Sequence, residues 1–282
     1  MARAYITVLS DNSYINGVVV LHRSLVLSKA KYPLFCIITP EVSEENRIVL
    51  QKLGIWTIEK DLIVPPSLNK EDAPEVIETL DCYGWHKALV KLTIFGLTQF
   101  SKLVYIDADM IVKQNIDDLF EKPHMTACWD CFGFGANDVC DSGSFNSGLL
   151  VVEPSTELFE DIMRFFNAFD GGGKLIHDQR VLQEYFKDWA TKPELHLDRW
   201  WAPWTTAFVE DRDEYYYLQS KIKVLHMIDK KPWVVDRNYF LTCLENWPCY
   251  ARLCLQYIDI LNYTIADLEK KGITSSDLKR IY

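Results

Sequence analysis

The chain has 282 residues, of which 49% are apolar, 25% charged and 13% aromatic. This apolar fraction excludes an intrinsically disordered chain, and the low counts of 12 glycines and 11 prolines exclude a collagen-like one. The 40 acidic and 30 basic residues give a net charge of −10, which argues against a nucleic-acid partner. Binding to nucleic acid requires a basic face that neutralises phosphates.

The sequence predicts neither a membrane-spanning segment nor a secretion signal. It contains no run of about 18 apolar residues, the minimum for a transmembrane helix. The apolar run at the start, residues 4–9, is too short and too rich in β-branched side chains for a signal peptide. The eight cysteines are scattered, so we expect reduced thiols and a cytoplasmic protein.

Three cysteines lie close together in the sequence, at positions 128, 131 and 140. The Cys128-x-x-Cys131 spacing occurs in zinc sites. However, no fourth cysteine or histidine stands at the spacing of a zinc finger. We therefore predict ordinary buried thiols here and no zinc.

Strands and helices alternate in the first part of the chain. Apolar runs predict strands at 5–9, 34–38 and 55–58, and helical spacing of apolar residues predicts helices at 17–30 and 44–53. This β-α-β-α-β order is typical of a parallel, doubly wound sheet. Ligands of such sheets bind beyond the carboxyl ends of the strands, where the strand order reverses.

The rest of the chain continues the α/β pattern. We expect a single α/β domain around a mostly parallel twisted sheet, with helices on both faces and a C-terminal helical addition packed against it. The remaining predicted elements are a loop over 61–82, a helix over 84–100, a strand at 102–106, a short helix or turn at 117–120, a loop over 130–144, a strand at 145–152, helices over 156–168 and 178–186, a strand at 222–226, and helical structure from 233 onward.

Two carboxylates follow the apolar strand at 102–106. Asp107 and Asp109 flank one small residue, and strand alternation directs both side chains towards the same crevice. Two like charges this close repel each other unless a cation lies between them. Their hard oxygen ligands favour Mg²⁺ or Mn²⁺. The alternative is a polar turn with no bound ion.

Further polar residues stand at strand ends and loops. His226 ends the last predicted strand, and its nitrogen as a ligand would shift the preference of a metal site from Mg²⁺ towards Mn²⁺. Lys231 precedes a rigid Pro-Trp pair and is suited to a phosphate, although it is also compatible with an exposed surface lysine. Four polar residues at two earlier places in the chain, before Gly148 and after the glycine turn at 171–173, suit sugar hydroxyls, or helix capping in the case of Asp178. These residues are Asn146, Ser147, Asp178 and Gln179.

The order of these motifs resembles the glycogenin-like branch of the family 8 retaining glycosyltransferases, over residues 4–233. No single motif is specific, but together they follow the family order. The matching segments are Ala4 to Val18, Leu92 to Asp109, Asn115 to Phe120, Phe145 to Gly148, Phe169 to Gly172, His177 to Gln179, and Leu225 to Trp233. The resemblance implies a Rossmann-like nucleotide-sugar-binding domain of the GT-A type over residues 1–282. Its parts would be a nucleotide-binding half at 1–110, an acceptor and sugar half at 111–233, and a helical addition at 234–282.

The resemblance also implies a role for each site residue. The Mn²⁺ ligands would be Asp107, Asp109 and His226. Uridine would be held by Val8, Ser10, Asp11 and Tyr14, and the ribose by the backbone of Ala108. Lys91 would lie near the donor phosphate and sugar, Lys231 would neutralise the leaving UDP, and Asn146, Ser147, Asp178 and Gln179 would surround the transferred sugar. Asp178, Gln179, Lys91 and Asn146 are the expected catalytic residues.

The sequence departs from the glycogenin pattern in ways that affect the acceptor. The spacing from His226 to Lys231 is one residue shorter than in glycogenin, and Asp229 stands where glycine is expected. No tyrosine aligns convincingly with the self-glucosylated one, and Tyr215 to Tyr217 are better explained as packing residues. We therefore expect transfer to a separate glycan, glycoprotein or polyol, and no membrane partner. The tryptophans at 200, 201 and 204 suit either sugar stacking or core packing.

Several alternatives remain open at the level of sequence. The expected donor is UDP-glucose or UDP-galactose, with UDP-glucuronate as the second choice. A self-glucosylating primer, a galactinol-synthase-like enzyme acting on a polyol, and a binding module without turnover are the other hypotheses. Relatives of this type pair as homodimers, so we expect one here.

Overall fold

The computed structural model describes residues 2–65, 85–130, 143–173, 175–198, 200–205, 220–228 and 230–281. Of the positions with predictions, Cys131, Cys140, Tyr215 to Tyr217 and Asp229 lie outside these ranges. Most residues of the two predicted loops, at 61–82 and 130–144, also lie outside them.

The described strands and helices follow the predicted order. The strands are β1 (Ala2–Leu9), β2 (Leu34–Ile38), β3 (Trp56–Glu59), β4 (Phe100–Ile106), β5 (Met110–Val112), β6 (Ala127–Trp129), β7 (Phe145–Val152), β8 (His196–Leu197) and β9 (Val224–His226). The α-helices are α1 (Ile15–Leu27), α2 (Glu44–Leu53), α3 (Thr156–Ala168), α4 (Asp178–Tyr185), α5 (Arg237–Asn246) and α6 (Pro248–Lys270).

The main sheet is mixed but mostly parallel. Its strand order is β3-β2-β1-β4-β7-β6-β8, and a separate two-stranded sheet pairs β5 with β9. Strands β1 to β4 are parallel to one another, whereas β7 is antiparallel to both β4 and β6. The chain order reverses around β1, so a ligand crevice is expected beyond the carboxyl ends of β1 and β4.

Helices cover both faces of the sheet, as predicted. In β1, Tyr5 and Leu9 belong to the core formed with α1, α2 and α6. Ala4 and Ile6 point the other way, into the core formed with α3, α4 and the segment before β4. Helix α6 packs on α1, which in turn packs on β1, so the C-terminal addition reaches the sheet through α1. No helix in the described ranges has both the length and the apolar character needed to cross a bilayer.

The second helix shows how local sequence signals set an element's ends. Ser43 caps its first turn by accepting a hydrogen bond from the backbone N–H of Asn46, and two acidic residues follow Ser43. Gly54 ends it with a left-handed φ of +79°, a conformation that costs glycine no strain. The predicted start and end of this helix are confirmed.

Two predicted elements differ from those observed. The helix expected over 84–100 is a 3₁₀ helix, Trp85–Gly96. Its β-branched residues do not account for this winding, because α1 contains three consecutive valines and is still an α-helix. The strand expected at 222–226 is shortened to β9, which pairs with β5 outside the main sheet.

A glycine in α1 permits close contact with the loop after β4. A Cβ atom at Gly17 would lie 2.4 Å from the carbonyl oxygen of Ala108, which is a clash with backbone. Because the obstacle is backbone, a side-chain rotation cannot relieve it. Gly17 therefore lets the start of α1 approach the segment from Asp107 to Asp109.

We predict that Gly17→Ala destabilises the protein by roughly 1–3 kcal/mol, since the added methyl forces α1 away from Ala108. Alanine in a helix interior is normally the more stable choice, by up to about 1 kcal/mol. Urea unfolding followed by circular dichroism measures the difference. Val26→Ala, in the same helix at a side chain that is half exposed, is the control. A Gly17→Ala variant as stable as the wild type would contradict the predicted clash.

Candidate active site

Three potential metal ligands lie together at the carboxyl end of β4. Asp107 and Asp109 follow that strand, and His226 ends β9, where it pairs with Met110 of β5. His226 Nε2 lies 3.3 Å from an Asp109 oxygen and 3.9 Å from an Asp107 oxygen. One ligand atom from each of the three residues lies within 4.8 Å of the others. The β5–β9 pairing thus brings the predicted histidine to the predicted carboxylates.

A glycine in β7 leaves room for the histidine ring. The backbone N–H of Asp107 donates to the carbonyl of Gly148 at 2.8 Å, which fixes the loop against β7. A Cβ at Gly148 would lie 2.8 Å from His226 Cε1 and 2.5 Å from the Met110 side chain. A larger residue there would displace the imidazole from the two carboxylates.

Lys231 lies inside this cluster, which excludes the alternative of an exposed surface lysine. Its Nζ donates to Asp109 Oδ2 at 2.6 Å and to the Met227 carbonyl at 2.9 Å. Burial disfavours the charged form of Asp109, but Lys231 and His226 hold the pKa of this carboxyl well below its usual value. Asp109 is therefore ionised, which is the form of a carboxylate that binds a cation.

Lys91 is the buried centre of the site. Its ammonium group lies 2.5 Å from Asp178 Oδ2 and 3.1 Å from Asp107 Oδ1. It also lies 3.2 Å from the Ser147 hydroxyl and 4.5 Å from the centre of the Tyr105 ring. Burial alone would lower the pKa of Lys91, but the two carboxylates raise it, so the side chain stays charged.

Asp178 faces the site and does not cap its helix. It is the first residue of α4, and its carboxylate accepts hydrogen bonds from Lys91 and, at 2.8 Å, from the Ser147 hydroxyl. Burial disfavours its charged form, yet Lys91 and Ser147 lower its pKa. A helix N-terminus also stabilises a carboxylate at this position. Asp178 is thus held ionised beside Lys91.

Asn146 and Gln179 form a second polar layer. Asn146 Oδ1 accepts from the Gly148 backbone N–H at 2.9 Å, and its amide nitrogen donates to Gln179 Oε1 at 3.2 Å. Gln179 Oε1 also accepts from the Ser147 backbone N–H at 2.9 Å. The predicted sugar-binding residues of β7 and α4 are therefore in direct contact with one another.

Sequence reasoning missed one acidic member of this layer. Asp130, immediately after β6, accepts hydrogen bonds from Gln179 Nε2 at 3.0 Å and from Asn146 Nδ2 at 3.3 Å. Burial raises its pKa, and the bonds from Asn146 and Gln183 offset part of that rise. Asp130 is the first residue of the loop predicted over 130–144. The short apolar run of β6 before it was the signal that could have revealed a strand ending at the site.

The turn expected to hold uridine follows β1. Asp11 accepts from the Ser13 backbone N–H at 2.9 Å and from Lys87 Nζ at 2.8 Å. Lys87, one turn before Lys91 on the 3₁₀ helix, had no predicted role. The Tyr14 ring packs edge-on against Trp233 with ring centres 5.4 Å apart.

The remaining predicted nucleotide contacts lie at or just after the carboxyl ends of β1 and β4. Val8 is half-buried near the end of β1, and the Ser10 carbonyl accepts a hydrogen bond from Thr39 Oγ1 at 2.6 Å. Ala108 is buried between the two aspartates. These residues and the metal cluster lie at neighbouring strand ends, although their roles stay predictions.

The tryptophans proposed for sugar stacking are largely part of the core. Trp204 is buried, and its backbone forms an isolated β-bridge with His226. Trp200 and Trp201 are half-buried against the core that contains α1, α2 and α6. The Lys223 ammonium lies 5.7 Å from the centre of the Trp201 ring. This packing favours a structural role over sugar stacking.

The chain matches the family model "Glycosyl transferase family 8" over residues 5–236. It belongs to glycosyltransferase family 8. The predicted resemblance is thereby confirmed, and the matched range contains the whole cluster of carboxylates, lysines and histidine described above.

Several curated relatives resemble this family 8 glycosyltransferase. Human glycogenin-1 is 29% identical over 236 residues, which cover 82% of this chain and 62% of glycogenin-1. Galactinol synthase 1 of Solanum lycopersicum is 31% identical and covers 66% of this chain. Inositol phosphorylceramide glucuronosyltransferase 1 of Arabidopsis thaliana is 32% identical over 276 residues, 95% of this chain and 46% of the relative. The chain spans about half to two thirds of the length of these relatives.

Solved structures confirm the fold class of this family 8 glycosyltransferase. The galactosyltransferase LgtC, in complex with donor and acceptor sugar analogues, superposes with a TM-score of 0.58 at 15% identity, covering 91% of this chain and 94% of LgtC. The glycosyltransferase GlyE of Streptococcus pneumoniae gives a TM-score of 0.54 at 18% identity, covering 97% of this chain and 65% of GlyE. The chain therefore has the GT-A glycosyltransferase fold.

We predict that Asp178→Asn lowers the free energy of unfolding by roughly 3 kcal/mol at neutral pH, because it removes one of the two carboxylates that pair with buried Lys91. The folded pKa of Asp178 is lowered, so its stabilisation is fully present above the ordinary value of 3.8. The stabilisation is lost as the pH falls through the lowered value.

Urea unfolding at several pH values between neutral and acid checks this expectation. The wild type and Asp178→Asn should converge in stability towards acid pH. Asp259→Asn, which removes an exposed carboxylate on α6, should follow the wild type at every pH. A stability difference for Asp178→Asn that does not change with pH would show that the loss does not come from the charge.

Proposed function

We propose that this family 8 glycosyltransferase is a Mn²⁺-dependent retaining enzyme. It would transfer a hexose, glucose or galactose, from a UDP-sugar to a hydroxyl of a separate acceptor. The observation that carries the proposal is the cluster of Asp107, Asp109 and His226 between two lysines, beside the turn after β1. The same cluster lies within the family match, residues 5–236.

The charges of the cluster fit a divalent cation. Asp107, Asp109 and Asp178 supply three negative charges, and Lys91 and Lys231 supply two positive charges through their contacts with them. The remaining negative charge, together with one imidazole nitrogen aimed at two carboxylates, suits a divalent ion with mixed oxygen and nitrogen ligands. This donor set favours Mn²⁺ over Mg²⁺. When bound, the ion would supply electrostatic stabilisation for the negative charge that develops on the departing diphosphate.

The chain's own residues account for the rest of the chemistry. Cleavage of the anomeric C–O bond leaves negative charge on the β-phosphate and positive charge on the sugar ring. Lys231, which contacts Asp109, would neutralise the phosphate side. Asp178, kept ionised by Lys91, would stabilise the sugar ring or attack its anomeric carbon. In a retaining enzyme the first role corresponds to front-side attack and the second to a covalent intermediate.

The polar layer around the proposed sugar position favours an uncharged hexose. Asp130, Asn146 and Gln179 offer a carboxylate and two amides, which suit sugar hydroxyls. Within the described ranges, both lysines of the cluster are already paired with carboxylates. A uronate carboxylate beside Asp130 would meet a like charge.

UDP-glucuronate remains the second candidate donor because of one comparison. The Arabidopsis glucuronosyltransferase matches 95% of this chain at 32% identity, a higher coverage and identity than human glycogenin-1 shows. Its name assigns glucuronate transfer to that protein. A cationic residue facing the sugar would be needed for the same donor here.

The acceptor is proposed to be a separate glycan, glycoprotein or polyol. The support is the lack of a convincing aligned acceptor tyrosine, together with the similarity to a relative named as a galactinol synthase. A cytoplasmic setting is supported by the buried thiols at Cys36, Cys128, Cys243, Cys249 and Cys254, which form no disulfide among the described residues. The homodimer, the division at residues 110 and 233, and self-glucosylation as the alternative function stay predictions.

We predict that Asp109→Asn lowers turnover by roughly 100-fold, because a neutral amide is a poor ligand and the charge on the diphosphate is left uncompensated. Release of UDP in the presence of Mn²⁺ and excess donor measures the effect. Asp259→Asn should retain full turnover. Thermal unfolding of both variants shows that they are folded.

Two results would contradict the metal proposal. One is full turnover by Asp109→Asn, and the other is wild-type turnover that is undiminished in excess EDTA. Restoration of wild-type turnover by added Mn²⁺ after EDTA treatment is the expected result.

We further predict that UDP-glucose or UDP-galactose is hydrolysed without an acceptor faster than UDP-glucuronate, and that the mass of the protein stays unchanged. Free UDP and intact mass spectrometry report the two quantities from the same incubation. Turnover of the uronate donor alone would contradict the hexose assignment. Hexose additions on the wild type that are absent after Tyr215→Phe, Tyr216→Phe and Tyr217→Phe are combined would establish self-glycosylation, since phenylalanine keeps the rings and removes the hydroxyls.

A further inference from the structure

The last segment of the chain, after α6, returns to the start of α1 and α2. The Ser276 backbone N–H donates to a Glu45 carboxylate oxygen at 3.1 Å, and Asn16 Nδ2 donates to the Asp277 carbonyl at 3.0 Å. This segment lies well beyond residue 236, where the family match ends. Its contacts are therefore a feature of this chain outside the region that defines the family.

A buried asparagine connects this segment to the turn after β1. Asn46 is 0% exposed, and its amide nitrogen donates to Asn12 Oδ1 at 2.8 Å and to Asp277 Oδ2 at 2.9 Å. Its amide oxygen accepts from the Ser275 hydroxyl at 2.7 Å. Both donor hydrogens and the acceptor are used, so a single amide orientation satisfies the group.

Asn12 is the residue through which this network reaches the nucleotide turn. It begins the 3₁₀ turn Asn12–Tyr14, and its Oδ1 also accepts from the Ser43 backbone N–H at 2.9 Å. Its chain neighbour Asp11 and the turn's last residue Tyr14 are the predicted uridine contacts. The orientation of Asn12 therefore influences both sides of the proposed uridine site.

Asp277 also holds the far end of the same turn. Asn16 lies in the first turn of α1, two residues after Tyr14, and its side-chain nitrogen donates to the Asp277 main chain. The Asn16 amide oxygen is buried and has no hydrogen-bond partner in the described residues. Among the described residues, the bond to the Asp277 carbonyl is therefore what orients the Asn16 side chain.

We propose that Asp277 is a positioning residue for nucleotide binding. Its carboxylate orients Asn46, which orients Asn12, while its main-chain carbonyl orients Asn16, so the turn at residues 12–16 is held from both ends. Loss of the carboxylate leaves one buried N–H of Asn46 without a partner, and the bonds with Asn12 and Ser275 then hold the amide less firmly. The proposal rests on the UDP donor assigned above.

The experiment measures binding of UDP with MnCl₂ by isothermal titration calorimetry on the full chain. Asp277→Ala should weaken UDP binding by roughly tenfold, the equivalent of one lost buried hydrogen bond. Asp277→Asn keeps an acceptor oxygen and should bind UDP like the wild type. Leu278→Ala, a half-buried residue of the same segment packed on the core, should lower the melting temperature without weakening UDP binding.

Hydrogen exchange supplies a readout that does not depend on UDP. The backbone amides of residues 12–16 should exchange faster in Asp277→Ala than in the wild type or in Leu278→Ala. Unchanged UDP affinity in Asp277→Ala, or equal weakening in Asp277→Ala and Leu278→Ala, overturns the positioning role while leaving the donor assignment intact. A wild-type protein that does not bind UDP overturns the donor assignment, and this proposal with it.

Discussion

The burial of one charged lysine constrains the whole site. Lys91 is only 2% exposed, and a buried ammonium group costs several kcal/mol unless oppositely charged groups surround it. Its partners come from different elements: Asp107 from the end of β4, Ser147 from β7, and Asp178 from the start of α4. The 3₁₀ helix, two strands and one α-helix must therefore meet at a single point for the charge to be tolerated.

The antiparallel direction of β7 is what makes this meeting possible. Ile106, the last residue of β4, pairs with Leu149, so the first half of β7 runs on beyond the carboxyl end of β4. A parallel β7 would place its far end, at Val152, beside the aspartates, and would carry Asn146 and Ser147 to the opposite edge of the sheet. Because β6 is in turn antiparallel to β7, its carboxyl end delivers Asp130 to the same edge.

Short-range sequence signals were sufficient to predict most of the strands and helices. Apolar runs and helical spacing located the strands and helices, and Ser43 and Gly54 marked the ends of α2 because capping is decided within one turn. Asp107, Asp109 and His226 could be singled out because each ends an apolar run. The structure brings them together, along with Lys91, Lys231 and Asp178.

Features that depend on distant contacts could not be predicted. Strand direction for β7 and the separate β5–β9 pair are fixed by tertiary packing, which leaves no trace in local periodicity. Asp130 and Lys87 carry no motif, since a single polar residue in a predicted loop or helix looks like a solvated one. The 3₁₀ winding of Trp85–Gly96 likewise becomes visible only in three dimensions.

The charge balance of the site has a consequence for how a metal and a nucleotide diphosphate would bind. The three carboxylates that contact Lys91 and Lys231 exceed those two ammonium groups by one negative charge. A diphosphate alone would meet that excess charge and be repelled, and a divalent ion alone would leave an excess positive charge. Each therefore favours the binding of the other, and such coupling is reciprocal by thermodynamic necessity. The low dielectric of a buried site strengthens each of these charge interactions. The burial that makes the charge of Lys91 costly therefore also increases the free-energy coupling between the binding of the ion and the binding of the diphosphate.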